Sequence, residues 1–159
     1  MKTFIVYDSL FGNTKKIAQT ISNAIPGSTS LLNVNNSGTP VLSVGDVLIV
    51  GSPVHGGMPT PGINMFIKNL KPSAVKGVRV AAFDTRFAIE KHGFGLKLLM
   101  TIIRFASERI LKDLVKKGGT KIVEPMGFIV KDKKGPLEDG EITRAKDWAR
   151  QIVKEAKIA

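Results

Sequence analysis

Short runs of bulky apolar residues alternate along this chain with segments whose apolar positions recur every three or four residues. Thr3-Phe4-Ile5-Val6-Tyr7, Asp46-Val47-Leu48-Ile49-Val50-Gly51 and Val78-Arg79-Val80-Ala81-Ala82-Phe83-Asp84 are of the first kind. A strand that is apolar at consecutive positions buries both faces, as in a parallel sheet covered by helices on each side. The segment from Asn13 onward is of the second kind: Ile17, Ala18, Ile21 and Ala24 share one side, and Lys15, Lys16 and Gln19 the other. That spacing predicts an amphipathic helix. Further strands are expected over Ser30–Val34 and Thr120–Val123, and a last apolar run, Gly127–Val130, is broken off by a basic turn. Further helices are expected from about Gly62 to Leu70, Leu96 to Lys117 and Asp139 to Lys157, with Gly118-Gly119 ending the long one. The chain has no internal repeat and no low-complexity linker, so residues 1–159 are read as one domain. The fold class is α/β, a doubly wound sheet of five parallel strands, which binds ligands outside the carboxyl ends of its strands.

Three loops leave strands at that edge. The first, Tyr7-Asp8-Ser9-Leu10-Phe11-Gly12-Asn13-Thr14, joins a strand directly to a helix. Free backbone N–H groups, a positive dipole end and hydroxyls are what a phosphate monoester requires. The same residues, Ser9, Asn13 and Thr14, also read simply as helix caps. There is no Gly-x-x-x-x-Gly-Lys-Ser/Thr motif and no three-glycine dinucleotide fingerprint, which argues against nucleoside triphosphates and NAD at this loop. The second loop, Ser52-Pro53-Val54-His55-Gly56-Gly57-Met58-Pro59-Thr60-Pro61, is too rich in proline and glycine to be regular. The third runs from Thr85, Arg86 and Phe87 through His92 to Gly95.

Lysine and arginine number 24 against 13 acidic residues, a formal charge of +11, which favours acidic partners or surfaces. Cysteine is absent, which excludes disulfides, thiolate metal sites and cysteine nucleophiles. No residue pattern pairs a nucleophile with a general base, so no catalytic residue is assigned, and no metal site is expected. The N-terminal apolar run meets Asp8 too soon for a signal peptide, which gives a cytoplasmic expectation. The apolar stretch Leu96–Leu114 is interrupted by charges and does not read as a membrane span. Its two lines, Leu99, Ile103, Ala106, Ile110 and Leu98, Ile102, Phe105, either pack on the sheet or face a partner. With Lys97, Arg104 and Arg109 beside them, an anionic membrane surface is the second choice.

Taken together, these motifs resemble the flavodoxin family of prokaryotic type, and the resemblance covers essentially the whole chain. Ser9 to Thr14 is similar to the family's phosphate loop, with Gly12, Asn13 and Thr14 matching and Phe11 standing where a hydroxyl residue is common. Gly51 to Gly57 resembles the second flavin loop, with His55 in the neighbourhood of the ring. Phe83-Asp84-Thr85-Arg86-Phe87 resembles the third, without the tyrosine that many flavodoxins stack on the flavin; the chain's one tyrosine is Tyr7. The turn Lys131-Asp132-Lys133-Lys134-Gly135-Pro136 and the helix after it resemble a tail found in some flavodoxin-domain proteins, and it is taken as structural.

The resemblance implies a five-stranded sheet of order 2-1-3-4-5 and an FMN cofactor. It implies that Ser9, Leu10, Phe11, Gly12, Asn13 and Thr14 hold the phosphate, chiefly through backbone donors, with the Ser9 and Thr14 hydroxyls and the Asn13 amide around it, and with Lys15 and Lys16 adding field or forming a solvated helix face. It places Ser52, Pro53, Val54, His55, Gly56 and Gly57 on one side of the cofactor and Asp84, Thr85, Arg86 and Phe87 on the other. His55 stacks on the ring, tunes its charge near neutral pH, or is an ordinary loop residue. Phe87 covers the ring's outer face or belongs to the surface loop; Arg86 pairs with the reduced, anionic flavin, reaches a partner or likewise belongs to the surface loop; Asp84 accepts a bond from the cofactor or, more simply, caps its own loop.

Three functions follow, in order of preference. The first is an FMN redox protein passing electrons between protein partners, acidic ones given the charge. The second is an NAD(P)H-dependent quinone or small-molecule reductase. The third is a non-catalytic module binding an acidic partner. Nucleic acid is disfavoured, and monomer and homodimer stay open. Flavodoxins are typically acidic, so this basic chain should hold its flavin at a less negative low potential than they do.

Overall fold

The computed structural model describes residues 1–87 and 105–158. Its elements are β1 (Thr3–Tyr7), α1 (Asn13–Ala24), β2 (Thr29–Asn33), β3 (Val47–Pro53), α2 (Pro61–Asn69), the short α3 (Pro72–Val75), β4 (Arg79–Phe87), α4 (Ala106–Lys116), β5 (Thr120–Lys121), β6 (Met126–Val130) and α5 (Glu141–Ile158). All strand pairings are parallel, in the order β2-β1-β3-β4-β5, and β6 also pairs with β4.

Alternation along each central strand divides the core into two layers. Ile5, Tyr7, Val47, Ile49, Ala81 and Phe83 point to one face, where Ile17, Ala18 and Ile21 of α1 and Ala145, Trp148, Ala149 and Ile152 of α5 cover them. Val6, Leu48, Val50, Val80 and Ala82 point to the other, against Ile63, Phe66 and Ile67 of α2 and Ile110, Leu111 and Leu114 of α4. Burial on both faces explains why these strands carry no polar alternation. Phe83, Phe128 and Trp148 meet edge to face, with ring centroids 5.9–6.3 Å apart, in the geometry the aromatic quadrupole favours. The Trp148 indole N–H donates to the Glu124 carbonyl at 3.1 Å, and Gly51 leaves room for the Phe83 ring, which any side chain there would overlap.

Three expectations are corrected. The third loop was to begin after Asp84, yet β4 continues to Phe87, because Phe83 to Phe87 pair residue by residue with Met126 to Val130. The fifth sheet position is filled in two pieces: β5 pairs with Arg79 and Val80, the chain leaves the sheet, and β6 pairs further along the same strand. A single helix from Leu96 to Lys117 is not formed. Helix α4 begins at Ala106, with Phe105 as an extended N-cap (φ −67°, ψ 162°). Its start is fixed by the Ser107 N–H, which donates to the buried Asp84 carboxylate at 2.8 Å. Of the two apolar lines, Ala106 and Ile110 are buried, while Leu98, Leu99, Ile102 and Ile103 lie outside the described residues, as do His92 and Gly95.

The expected stop holds. Gly118 takes φ +98°, its N–H donates to the Val115 carbonyl, and the Gly119 N–H reaches back to Leu114, the paired bonds of a Schellman ending. Among the described residues no helix is long and apolar enough to cross a membrane, and no group of three or more His, Cys, Asp or Glu side chains is placed to hold a metal.

Candidate functional site

The carboxyl ends of β1, β3 and β4 open into a cavity of about 270 Å³. It is lined by Leu10, Phe11, Asn13 and Thr14 from the first loop, Pro53, Val54, His55 and Gly56 from the second, and Thr85, Arg86 and Phe87 from the end of β4. Phe105, Val130 and Lys133 complete the wall. The parallel register explains the convergence: Tyr7 lies beside Gly51, and Pro53 beside Thr85, so the segments leaving these strands emerge on one edge.

The first loop is built around Ser9 and Gly12. Ser9 Oγ accepts the N–H groups of Gly12 (3.1 Å) and Lys15 (3.2 Å), and Gly12 precedes α1 with φ +88°, a left-handed conformation that favours glycine. The Ser9 hydroxyl thus uses both acceptor positions inside the loop and keeps its proton to donate. No hydrogen-bond acceptor among the described residues serves the backbone N–H groups of Leu10, Phe11, Asn13 and Thr14. Four donors at a helix N-terminus, with the dipole behind them, make an anion cradle. Beneath them, the buried hydroxyls of Thr14 and Thr85 lie 2.8 Å apart. Either can donate to the other, so the pair consumes one of its two protons and has another for an acceptor in the cavity.

The second loop contains a feature that its glycine content concealed. His55 and Met58 exchange both backbone bonds (2.9 and 3.0 Å) across Gly56 (φ +57°) and Gly57 (φ +78°), a two-residue reversal with both central residues left-handed. Behind it, Ser52 is fully buried, its hydroxyl receiving the Thr60 N–H and donating to the Pro53 carbonyl. Ser52 therefore secures the loop and lies off the cavity wall.

At the end of β4, Asp84 is likewise fully buried. It binds Arg86 through both oxygens, at 2.5 Å to Nε and 2.7 Å to Nη2, and it accepts the Ser107 N–H. The Arg86 guanidinium reaches the Ser107 hydroxyl at 3.1 Å and lies 3.5 Å from the Phe105 ring centroid. Gly127 is what admits it, since any side chain there would overlap the guanidinium. Arg86 thus lines the cavity as half of a neutral pair, and Asp84 serves it from behind.

Of the residues expected at the site, Leu10, Phe11, Asn13, Thr14, Pro53, Val54, His55, Gly56, Thr85, Arg86 and Phe87 share the cavity. Ser9 lines an adjoining cleft with Asp8, Asn35 and Thr60, while Gly12, Ser52, Gly57 and Asp84 shape loops from outside the wall. Sequence reasoning missed Phe105, Val130 and Lys133. The signal for Lys133 was its place in a lysine-rich turn directly after the last strand, at the same edge as the three loops.

The flavodoxin domain family model matches residues 4–118. This chain is a member of that family. Among solved structures, a flavodoxin from the domain Archaea superimposes with a TM-score of 0.73 at 18% identity, covering 99% of each chain. Oxidised flavodoxin from Bacillus cereus gives 0.68 at 18% identity, with 97% of this chain and 98% of that one covered. Rubredoxin oxygen:oxidoreductase from Desulfovibrio gigas gives 0.73 at 16% identity over 99% of this chain; this flavodoxin domain spans 36% of that protein's length. No curated protein matches the sequence. At these identities the likeness concerns the fold, which is the doubly wound sheet of order 2-1-3-4-5.

Proposed function

We propose that this flavodoxin domain binds FMN at the described cavity and serves as an electron carrier between protein partners. The observation that carries the reading is the set of four N–H groups from Leu10 to Thr14 with no partner among the described residues, opening into the same cavity as the ends of β3 and β4. The fit to a flavin phosphate is chemical as well as spatial. The donors are neutral and preorganised, the Ser9 hydroxyl and the Thr14–Thr85 pair add protons to give, and the rest of the wall is mainly apolar. Pro53, Val54, His55 and Phe87 are the candidates for contact with the ring. FMN, once bound, supplies the one- and two-electron chemistry, and the protein supplies binding, orientation and electrostatics.

The rim supports a protein partner. Leu10, Phe11 and Phe87 line the cavity yet remain 56%, 47% and 39% exposed, an apolar border where a second protein can exclude water. Lys15, Lys16, Lys133 and Lys134 are exposed on the first turn of α1 and on the turn after β6, so the surface offered is basic and fits an acidic protein.

The visible absorption spectrum of the untagged protein as purified, followed by titration of the apoprotein with FMN, tests the cofactor. Flavin bands and stoichiometric binding are expected; no binding of added FMN would overturn the reading. Steady turnover of quinone with NAD(P)H by the protein alone would replace the carrier role with a reductase role.

A further inference from the structure

We propose that Lys133 is a phosphate-binding residue, carried to the wall of the cavity by a turn that the Asn13 amide ties to the first loop, and a source of an ionic-strength-dependent part of the preference for FMN over riboflavin. This rests on the FMN reading above and goes beyond it. That reading assigns the phosphate to backbone donors and hydroxyls alone.

The turn 131–136 is firmly defined and is joined to the loop. Its base closes through the Lys131 N–H to the Pro136 carbonyl (2.8 Å) and a bridge between Val130 and Leu137. Its tip closes through the Gly135 N–H to the Asp132 carbonyl (2.8 Å) and the Lys133 N–H to Asp132 Oδ1 (2.6 Å). The Asn13 side-chain amide then donates to the Lys134 carbonyl at 3.1 Å, a contact 121 residues apart in sequence. Gly135, at φ +98°, lies so close to the Asn13 amide that any side chain would displace it. Asn13 therefore spends its side chain on the turn, and its backbone N–H remains in the cradle.

Elimination assigns the cation. Lys131 Nζ pairs with Asp139 at 3.0 Å, which raises its pKa above the ordinary lysine value, chiefly through that hydrogen bond and then through charge attraction. Lys134 meets the loop through its carbonyl and does not line the cavity, and neither do Lys15 and Lys16. Lys133 lines it together with Leu10, Phe11, Asn13 and Thr14, and its ammonium has no partner among the described residues. A lysine there adds a point charge to a site otherwise made of neutral donors. Its contribution must fall as salt screens it, while hydrogen bonds from the backbone persist.

The test is titration of the apoprotein with FMN and with riboflavin, each followed by flavin fluorescence, at low and at raised ionic strength. The proteins are wild type, Lys133→Gln, Lys133→Arg and Lys146→Gln, the last making the same charge change on the exposed side of α5. Lys133→Gln should weaken FMN about threefold to fivefold at low salt, the upper range of an exposed ion pair, and leave riboflavin unchanged. The gap should narrow as salt rises, and Lys133→Arg and Lys146→Gln should bind FMN as wild type does. The proposal is overturned if Lys133→Gln matches wild type, weakens both flavins equally or is matched by Lys146→Gln, or if arginine fails to restore binding. A wild type that binds FMN alongside an unaffected Lys133→Gln removes this inference only; a wild type that binds neither flavin removes the FMN reading as well.

Discussion

Asp84 has no exposure to water, and each of its oxygens is engaged: Oδ1 by Arg86 Nε, and Oδ2 by Arg86 Nη2 and the Ser107 N–H. Desolvating a carboxylate is costly, and the cost is offset only while both the charge partner and the hydrogen bonds remain. The arrangement also ties the end of β4 to the start of α4, so this one residue holds a cavity wall in position. Asp84→Ala should therefore lower unfolding free energy by about 3 kcal/mol, since it leaves the guanidinium uncompensated and the Ser107 N–H unserved. Urea denaturation measures it, and a loss under about 1 kcal/mol would show that the pair is not a unit. The double replacement Asp84→Leu/Arg86→Met should recover much of the loss. In the sequence, Asp84 and Arg86 read as separate residues, each meeting a ligand or serving its own loop or the surface. That they face each other depends on Gly127 and Ser107, which are 41 and 21 residues beyond Arg86 in the chain, and no local pattern records that proximity.

Among the elements, those whose apolar period is set by local packing were the legible ones. Strands β1 and β3 and helices α1 and α2 fall within a few residues of expectation, because each carries a full stripe or run of its own. The end of β4 was misread because Thr85 and Arg86 break the apolar run. Its strand conformation comes from the partner β6, a long-range term that outweighs local composition. The second loop forms no helix or strand of its own, as its composition predicts, yet it is more ordered than that composition suggests. Its glycines mark a defined reversal, with His55 held at one corner by two backbone bonds. Gly56→Ala should cost about 1 kcal/mol, because a side chain at φ +57° is strained, and it should loosen His55 against the cavity. Thermal unfolding and FMN affinity together check this. A mutant with unchanged melting temperature and affinity would mean that the reversal is incidental.

Over the whole molecule, the net formal charge of +11 surrounds a site whose own Asp84–Arg86 pair is neutral, so the net field at the cavity comes from the other, surface charges. A positive field favours whichever oxidation state of a bound flavin is more negative. The low potential should accordingly be less negative than in acidic flavodoxins, and it should fall as salt is added. Each tenfold change in the relative affinity of the two oxidation states corresponds to about 59 mV for one electron. Redox titration at two ionic strengths tests the sign, and a potential that rises with salt would refute it. The two-piece fifth sheet position has a consequence of another kind. An open parallel sheet ends in a row of unpaired backbone groups that invites another chain to add a strand. On this edge the row is only two residues long at β5. Beside β6 it is occupied, because the Ile129 N–H donates to the Glu141 carboxylate (2.8 Å) and the Ile129 carbonyl accepts from the Glu138 N–H (2.9 Å). The interruption that divides the expected fifth strand thus also guards this edge of the sheet against edge-to-edge growth.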